Sequence, residues 1–479
     1  MHVWITLISL WSALSFGAPP EDRFDGWIDF ESKVAAQQIL ASFSSPDAAP
    51  GAIYASPSRE NPEYFRHWVR DAALVMNTAL TLAERSDSAT RNRIVQGLID
   101  YVRFSRGNQL TNNPSGTPAD GGLGEPWFYM NGAANWKGWG RPQLDGPALR
   151  AITLIRFANL LLDAGQEQYV RAWLYDGRIP AETVIKADLE FVSHHWHDHS
   201  YDLWEEIRGY HFYTRIVQRR ALLEGAKLAR RLGDWGAGDY YQVSGDQLTM
   251  DVHSHWRPER GYFIATFDHY EGIDYKNSGL DIAIVLGALH TDGPGYDKFL
   301  TVADPRIQAT AQRLRDDFAW RFGINSRDSD FEGRHLGPAM GRYPEDRFNG
   351  YVTTSLGNPW FLAGHAMAEL YYRSAREYQA SGRIDITGVN LPFFRGLSTL
   401  DRDLARSLGA GTLTAGSQAY GKVLRALRDE GDSFLARTRA HASSDGHLSE
   451  EMNRDTGFMQ GANDLTWSYA SFLTASWAR

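Results

Sequence analysis

A chain of 479 residues that is 43% hydrophobic and 22% charged has the composition to bury a large core, which excludes an intrinsically disordered protein. Its net charge of −9, without a basic run anywhere, argues against a nucleic-acid partner. With no cysteine it holds neither disulfides nor thiolate metal sites, so its stability rests on packing.

Residues 3–16 form an apolar stretch too short for a bilayer-spanning helix, and polarity changes abruptly at "GAPPEDR". We read residues 1–18 as a signal peptide, which makes the protein secreted or periplasmic; no later segment reads as a membrane span. Helical periodicity then recurs over residues 30–43, 69–86, 146–165, 181–196, 213–233, 305–322, 358–380 and 462–478, while strand signals are scarce. Between these lie long Gly- and Pro-rich loops, chiefly 106–143 and 323–357, and ordered loops of that length are usually functional. No linker-like tract or short-period repeat interrupts the chain, so residues 19–479 are expected to form one domain, acting as a monomer. A domain of that size exceeds the usual single core, and a closed ring of helical hairpins grows by repetition instead.

Asp202, Glu205 and Glu206 stand within five residues, beside Tyr201 and Trp204. Crowded like charges against an apolar wall hold one carboxyl protonated near neutral pH, but an exposed acidic helix start explains the same letters, and both readings are open here. A second pair, Glu450 and Glu451, reads alone as the first turn of a helix. Other segments change its weight: Tyr64, Trp68, Arg70 and Asp71 in "NPEYFRHWVRD", Trp139 and Arg141 in "GWGRPQ", Arg342 in "GRYPED" and Trp360 in "GNPWFL". Indole faces pack on sugar rings while guanidinium and carboxylate groups bond hydroxyls, which points to a carbohydrate pocket. "HHWHDH" (194–199) lacks the glutamate of a zincin motif, and "DSDFEG" (328–333) has Ala339 where a calcium loop needs its bidentate Glu. We therefore expect no metal and no organic cofactor.

These blocks, with "NPSG", "GLGEPWF", "YDLWEE", "LSEEMNRDTG" and "DLTWSYA", occur in an order that resembles glycoside hydrolase family 15, the glucoamylase family. The resemblance runs from about residue 50 to the end. It implies an all-α fold, an (α/α)6 barrel, and exo-acting, inverting hydrolysis that releases β-D-glucose from the non-reducing ends of α-1,4-glucans. It implies Glu205 as general acid, Glu450 as general base, and Glu206 as a substrate ligand next to the scissile bond. It further implies Arg70, Asp71 and Arg342 as hydroxyl partners, with Tyr64, Trp68, Trp139, Arg141, Trp204, Trp360 and Trp467 around the sugar.

Three positions depart from the family pattern. Asn135 or Trp136 stands where relatives commonly have Tyr, Glu451 where Gln is frequent, and Gly461 where a hydroxyl residue often supports the base. No starch-binding module follows the last helix, which favours soluble dextrins as substrate. The same barrel also serves cleavage of α-1,6 or trehalose linkages and disaccharide phosphorolysis, and a non-catalytic sugar-binding protein is a further alternative.

Overall fold

The computed structural model describes residues 24–293 and 297–479; the signal-peptide reading falls outside them. Among the described residues, twelve helices of nine or more residues alternate between two rings. The inner ring comprises α2 (Val69–Arg85), α4 (Asp145–Asp163), α6 (Phe212–Arg231), α8 (Ala283–Thr291), α10 (Phe361–Ser381) and α12 (Thr466–Ala478). The outer ring comprises α1 (Phe24–Ser42), α3 (Ser88–Leu110), α5 (Val184–His195), α7 (Trp235–His253), α9 (Pro305–Phe318) and α11 (Gln418–His441). Each inner helix packs against the next, and α12 closes on α2, which makes the (α/α)6 barrel expected from the sequence. No described helix is long and apolar enough to cross a membrane.

The two rings differ in how their helices begin. Outer helices α3, α7, α9 and α11 are capped by the side chains of Asp87, Asp234, Asp304 and Ser417. The residues preceding the six inner helices, Trp68, Leu144, His211, Ile282, Trp360 and Leu465, give no such bond. Those six N-termini lie at one end of the barrel, where the long loops enter, and their positive dipole ends suit that end to carboxylates. Asp71 and Asp145 occupy the first turns of α2 and α4 accordingly.

Helices α3, α7, α8 and α11 are not among the periodic segments named from sequence. α8 is the instructive case. "AIVLGALHT" is buried on nearly every side, so it has no polar face to reveal a period. Its Gly287 permits close approach to α6, since a Cβ there would come 3.0 Å from the Phe212 ring. "HHWHDH" is the end of α5 with the turn after it, and no group of metal-ligating side chains occurs among the described residues.

Glu31 on α1 is fully buried, and neither carboxyl oxygen has a hydrogen-bond partner among the described residues. Burial, then repulsion from Asp445, pushes its pKa up to about 8. The folded chain therefore keeps a proton that the unfolded chain loses above about pH 4.5, so this group lowers stability as pH rises from there towards 8. Glu31→Gln is expected to flatten that limb, raising Tm at pH 7.5 and leaving it nearly unchanged at pH 4; pH-dependent thermal unfolding checks it.

Candidate active site

Loops entering the inner helices bring the acidic pairs and aromatic residues to one end of the barrel. His67–Trp68 pairs with Trp127–Phe128, and this two-residue strand aims Trp68 and the start of α2 inward. Arg70, 5% exposed, donates to Gln143 Oε1 (3.0 Å) and Asp145 Oδ2 (3.1 Å) and lies 3.5 Å from both Asp71 Oδ2 and Glu205 Oε1. Burial raises the Asp71 carboxyl to about 6 while Arg70 pulls it down.

Glu205 sits in a tight turn with φ +67°, a left-handed conformation that costs a Glu about 1–2 kcal/mol. Asp202 holds that turn: Glu205 N donates to its carbonyl (2.9 Å), and Glu206 N and Ile207 N donate to its Oδ1 (2.8 and 3.1 Å). The Glu205 carboxyl receives Trp68 Nε1 (2.9 Å) and Gln143 Nε2 (3.1 Å) on Oε1, and Trp139 Nε1 (2.8 Å) on Oε2. Adjacent Glu206 points elsewhere, accepting from Arg342 Nη2 (2.8 Å) and Tyr343 Oη (2.7 Å). Burial raises its pKa and Arg342 opposes the shift. Arg342 also bonds Asp346 through Nε and Nη2 (2.7 and 2.6 Å) and lies against Trp204, Phe348 and Trp360. Glu205 and Glu206 are thus two differently held carboxylates, not an exposed acidic helix start.

Glu450 is 2% exposed. Its Oε2 accepts from Ala462 N (3.3 Å), and the Tyr64 hydroxyl bonds the same carboxyl. Burial raises its pKa, and the Ala462 amide, Arg342 and Tyr64 work against that rise. Gly461 explains one departure from the family pattern. It has φ +76°, and a Cβ there would come 2.5 Å from Glu450 Oε2, so the carboxyl lies directly over the glycine and takes a backbone amide for support. Glu451 is fully buried, receives Asn358 Nδ2 (2.9 Å) on Oε2, and leaves Oε1 without a partner among the described residues. Burial and the adjacent Glu450 push its pKa far up, so a neutral isostere such as Gln suits this position.

The aromatic residues divide between wall and support. Tyr64, Trp68 and Trp139 form one run of rings, with Trp68 5.4 Å from Tyr64 and 6.1 Å from Trp139. Trp204 packs on Trp360 (5.5 Å) and stacks on Trp467 (6.4 Å). Trp467 stands behind Trp204 and borders a separate 1080 Å³ cavity among the C-terminal ends of the inner helices. Arg141 is committed within the protein, to Glu125 through Nε and Nη2 (2.8–3.0 Å) and to the Asn135 and Lys137 carbonyls (2.9 Å each), so it clamps the loop that carries Trp139. Asn135 is buried and Trp136 is exposed, which resolves that departure into an inward and an outward residue.

The model of the glycosyl hydrolases family 15 matches residues 31–477 of the chain. The protein belongs to this family. It is 38% identical to the glucoamylase of Blastobotrys adeninivorans, over 96% of this chain and 73% of that protein. It is 35% identical to glucoamylase 1 of Rhizopus oryzae, over 95% and 70% respectively. Its structure superposes on the glucoamylase from Saccharomycopsis fibuligera with a TM-score of 0.86 at 31% identity, covering 97% of both chains. Within this family 15 framework, residues that sequence reasoning does not single out are Gln143, Asp145, Tyr343, Asp346, Asn358 and the Ala462 amide. Gln143, Tyr343, Asp346 and Asn358 lie inside the quoted motifs and Asp145 just past the end of one, so their neighbours in sequence were the available signal.

Proposed function

We propose that this family 15 member is a glucan 1,4-α-glucosidase, exported and monomeric, that removes β-D-glucose from the non-reducing ends of maltodextrins with inversion. The observation that supports it is the unequal holding of two carboxyls, Glu205 against indole and amide donors and Glu450 buried over Gly461 with Tyr64. Such a division suits an acid and a base acting on opposite faces of one sugar ring.

In this reading Arg70 and Asp71 grip the terminal glucose, with Trp68, Trp139 and Trp360 against it and Trp204, backed by Trp467, as the floor. Glu205 Oε1 receives two donors, Trp68 and Gln143, and Oε2 only Trp139, so Oε2 is the oxygen with room for the transferable proton. That proton passes to the glycosidic oxygen as the C1–O bond breaks and its electron pair leaves with the aglycone. Glu450 takes a proton from the water that attacks C1 from the other side, and a raised pKa makes it the stronger base. Glu206, paired with Arg342 and bonded by Tyr343, accepts a bond from a substrate hydroxyl; no cofactor enters.

Proton NMR of the first-formed sugar tests the stereochemistry. β-D-glucose is expected, and initial α-anomer would overturn inversion. Product analysis on maltose, isomaltose, trehalose and dextrins decides linkage, and formation of glucose 1-phosphate in phosphate buffer would replace hydrolysis by phosphorolysis.

A further inference from the structure

Lys276 lies in the loop before α8 with a side chain only 4% exposed. Its Nζ contacts Asp281 Oδ2, stands 3.8 Å from Asp202 Oδ2 and sits 4.2 Å from the centre of the Tyr343 ring. Each of these three neighbours holds a different part of the segment 202–206. Asp202 binds the amides of the Glu205 turn through Oδ1, while its Oδ2 has no hydrogen-bond partner among the described residues. Asp281 accepts Trp204 Nε1 on both oxygens (3.0 Å each) and the Ala283 amide at the start of α8 (2.7 Å). Tyr343 donates its hydroxyl to Glu206.

We propose that Lys276 is a positioning residue for the proton donor: one buried ammonium ties Asp202, Asp281 and Tyr343 together and so holds the left-handed turn that aims Glu205. The physical need is specific. A Glu at φ +67° relaxes unless its surroundings over-determine it, and the Asp202 carboxylate that bonds the turn is itself buried. Lys276 supplies a positive charge beside the free oxygen of Asp202, which orients that carboxylate, and through Asp281 it couples the turn to the start of α8. The inference rests on Glu205 being the general acid.

The test uses two substrates that differ in their need for an acid. Maltose has a poor leaving group that must be protonated, whereas fluoride departs from α-glucosyl fluoride without full proton transfer. Lys276→Met is expected to lower kcat on maltose about 10- to 100-fold while leaving turnover of α-glucosyl fluoride within about threefold. Because Lys276→Met leaves two buried carboxylates unbalanced, the double variant Lys276→Met/Asp281→Asn is measured beside it; the amide oxygen it introduces still accepts from Trp204, and the charge count is restored. A double variant that folds and stays selectively slow on maltose supports the proposal. One that recovers wild-type maltose turnover reduces Lys276 to a neutralising charge and overturns it, as does an equal loss on both substrates. Glu205→Gln is the control: selective loss on maltose there, without it in the Lys276 variants, defeats the positioning role alone, whereas an equal loss on both substrates in Glu205→Gln defeats the assignment of Glu205 itself.

Discussion

Glu450→Gln is expected to lower kcat on maltose by about 10²–10⁴-fold with KM changed little, because the lost group acts on the attacking water and not on the bound sugar. Fold and stability should survive, since Gln still accepts from the Ala462 amide and the buried site loses a costly ionisable group. Glu205→Gln should fall within the same range, and Glu206→Gln should raise KM instead, through its broken pairing with Arg342. Steady-state kinetics on the three variants decide it; a Glu450→Gln enzyme within a few-fold of wild-type kcat would remove Glu450 from the role of base. The neighbouring Glu451→Gln makes the sharpest contrast, since a buried carboxyl whose pKa is pushed far up is replaced by its neutral isostere.

Arg70→Ala is expected to cost about 3–5 kcal/mol of stability and to abolish measurable turnover, because Asp71, Asp145 and Glu205 are left around a buried site without their cation. The penalty should shrink as pH falls. Burial already pushes Asp71 up to about 6 with Arg70 present, so removing the arginine raises it further, and protonation at pH 5 relieves the repulsion. Arg70→Lys should recover part of the stability but little of the activity, since a point charge cannot face Gln143, Asp145 and Glu205 together as the guanidinium fork does. Thermal unfolding of variant and wild type at pH 5 and 7.5, with KM for maltose, separates these outcomes; an Arg70→Ala penalty equal at both pH values would show that protonation of Asp71 does not relieve the loss.

Much of this protein was legible in the chain. The segments that became α1, α2, α4, α5, α6, α9 and α10 announce themselves by helical period and helix formers, and α12, buried nearly all round, by its greater length. The motif blocks likewise carried the family and the candidate acids, because chemistry on a sugar demands carboxylates, guanidinium groups and indoles in a recognisable order. Hidden from it were α8, whose all-round burial erases the pattern, and the different fates of adjacent letters. Glu205 and Glu206 are one residue apart, yet one faces Trp68, Trp139 and Gln143 while the other faces Arg342 and Tyr343. Glu450 rests over Gly461 and Glu451 is shut in against Asn358. The sequence alone determined which groups were present and the helices that carry them. Only the closure of six hairpins into a ring decided which partners Glu205 and Glu206 meet, because the donors and the charge that fix their use come from residues 62 to 137 positions away.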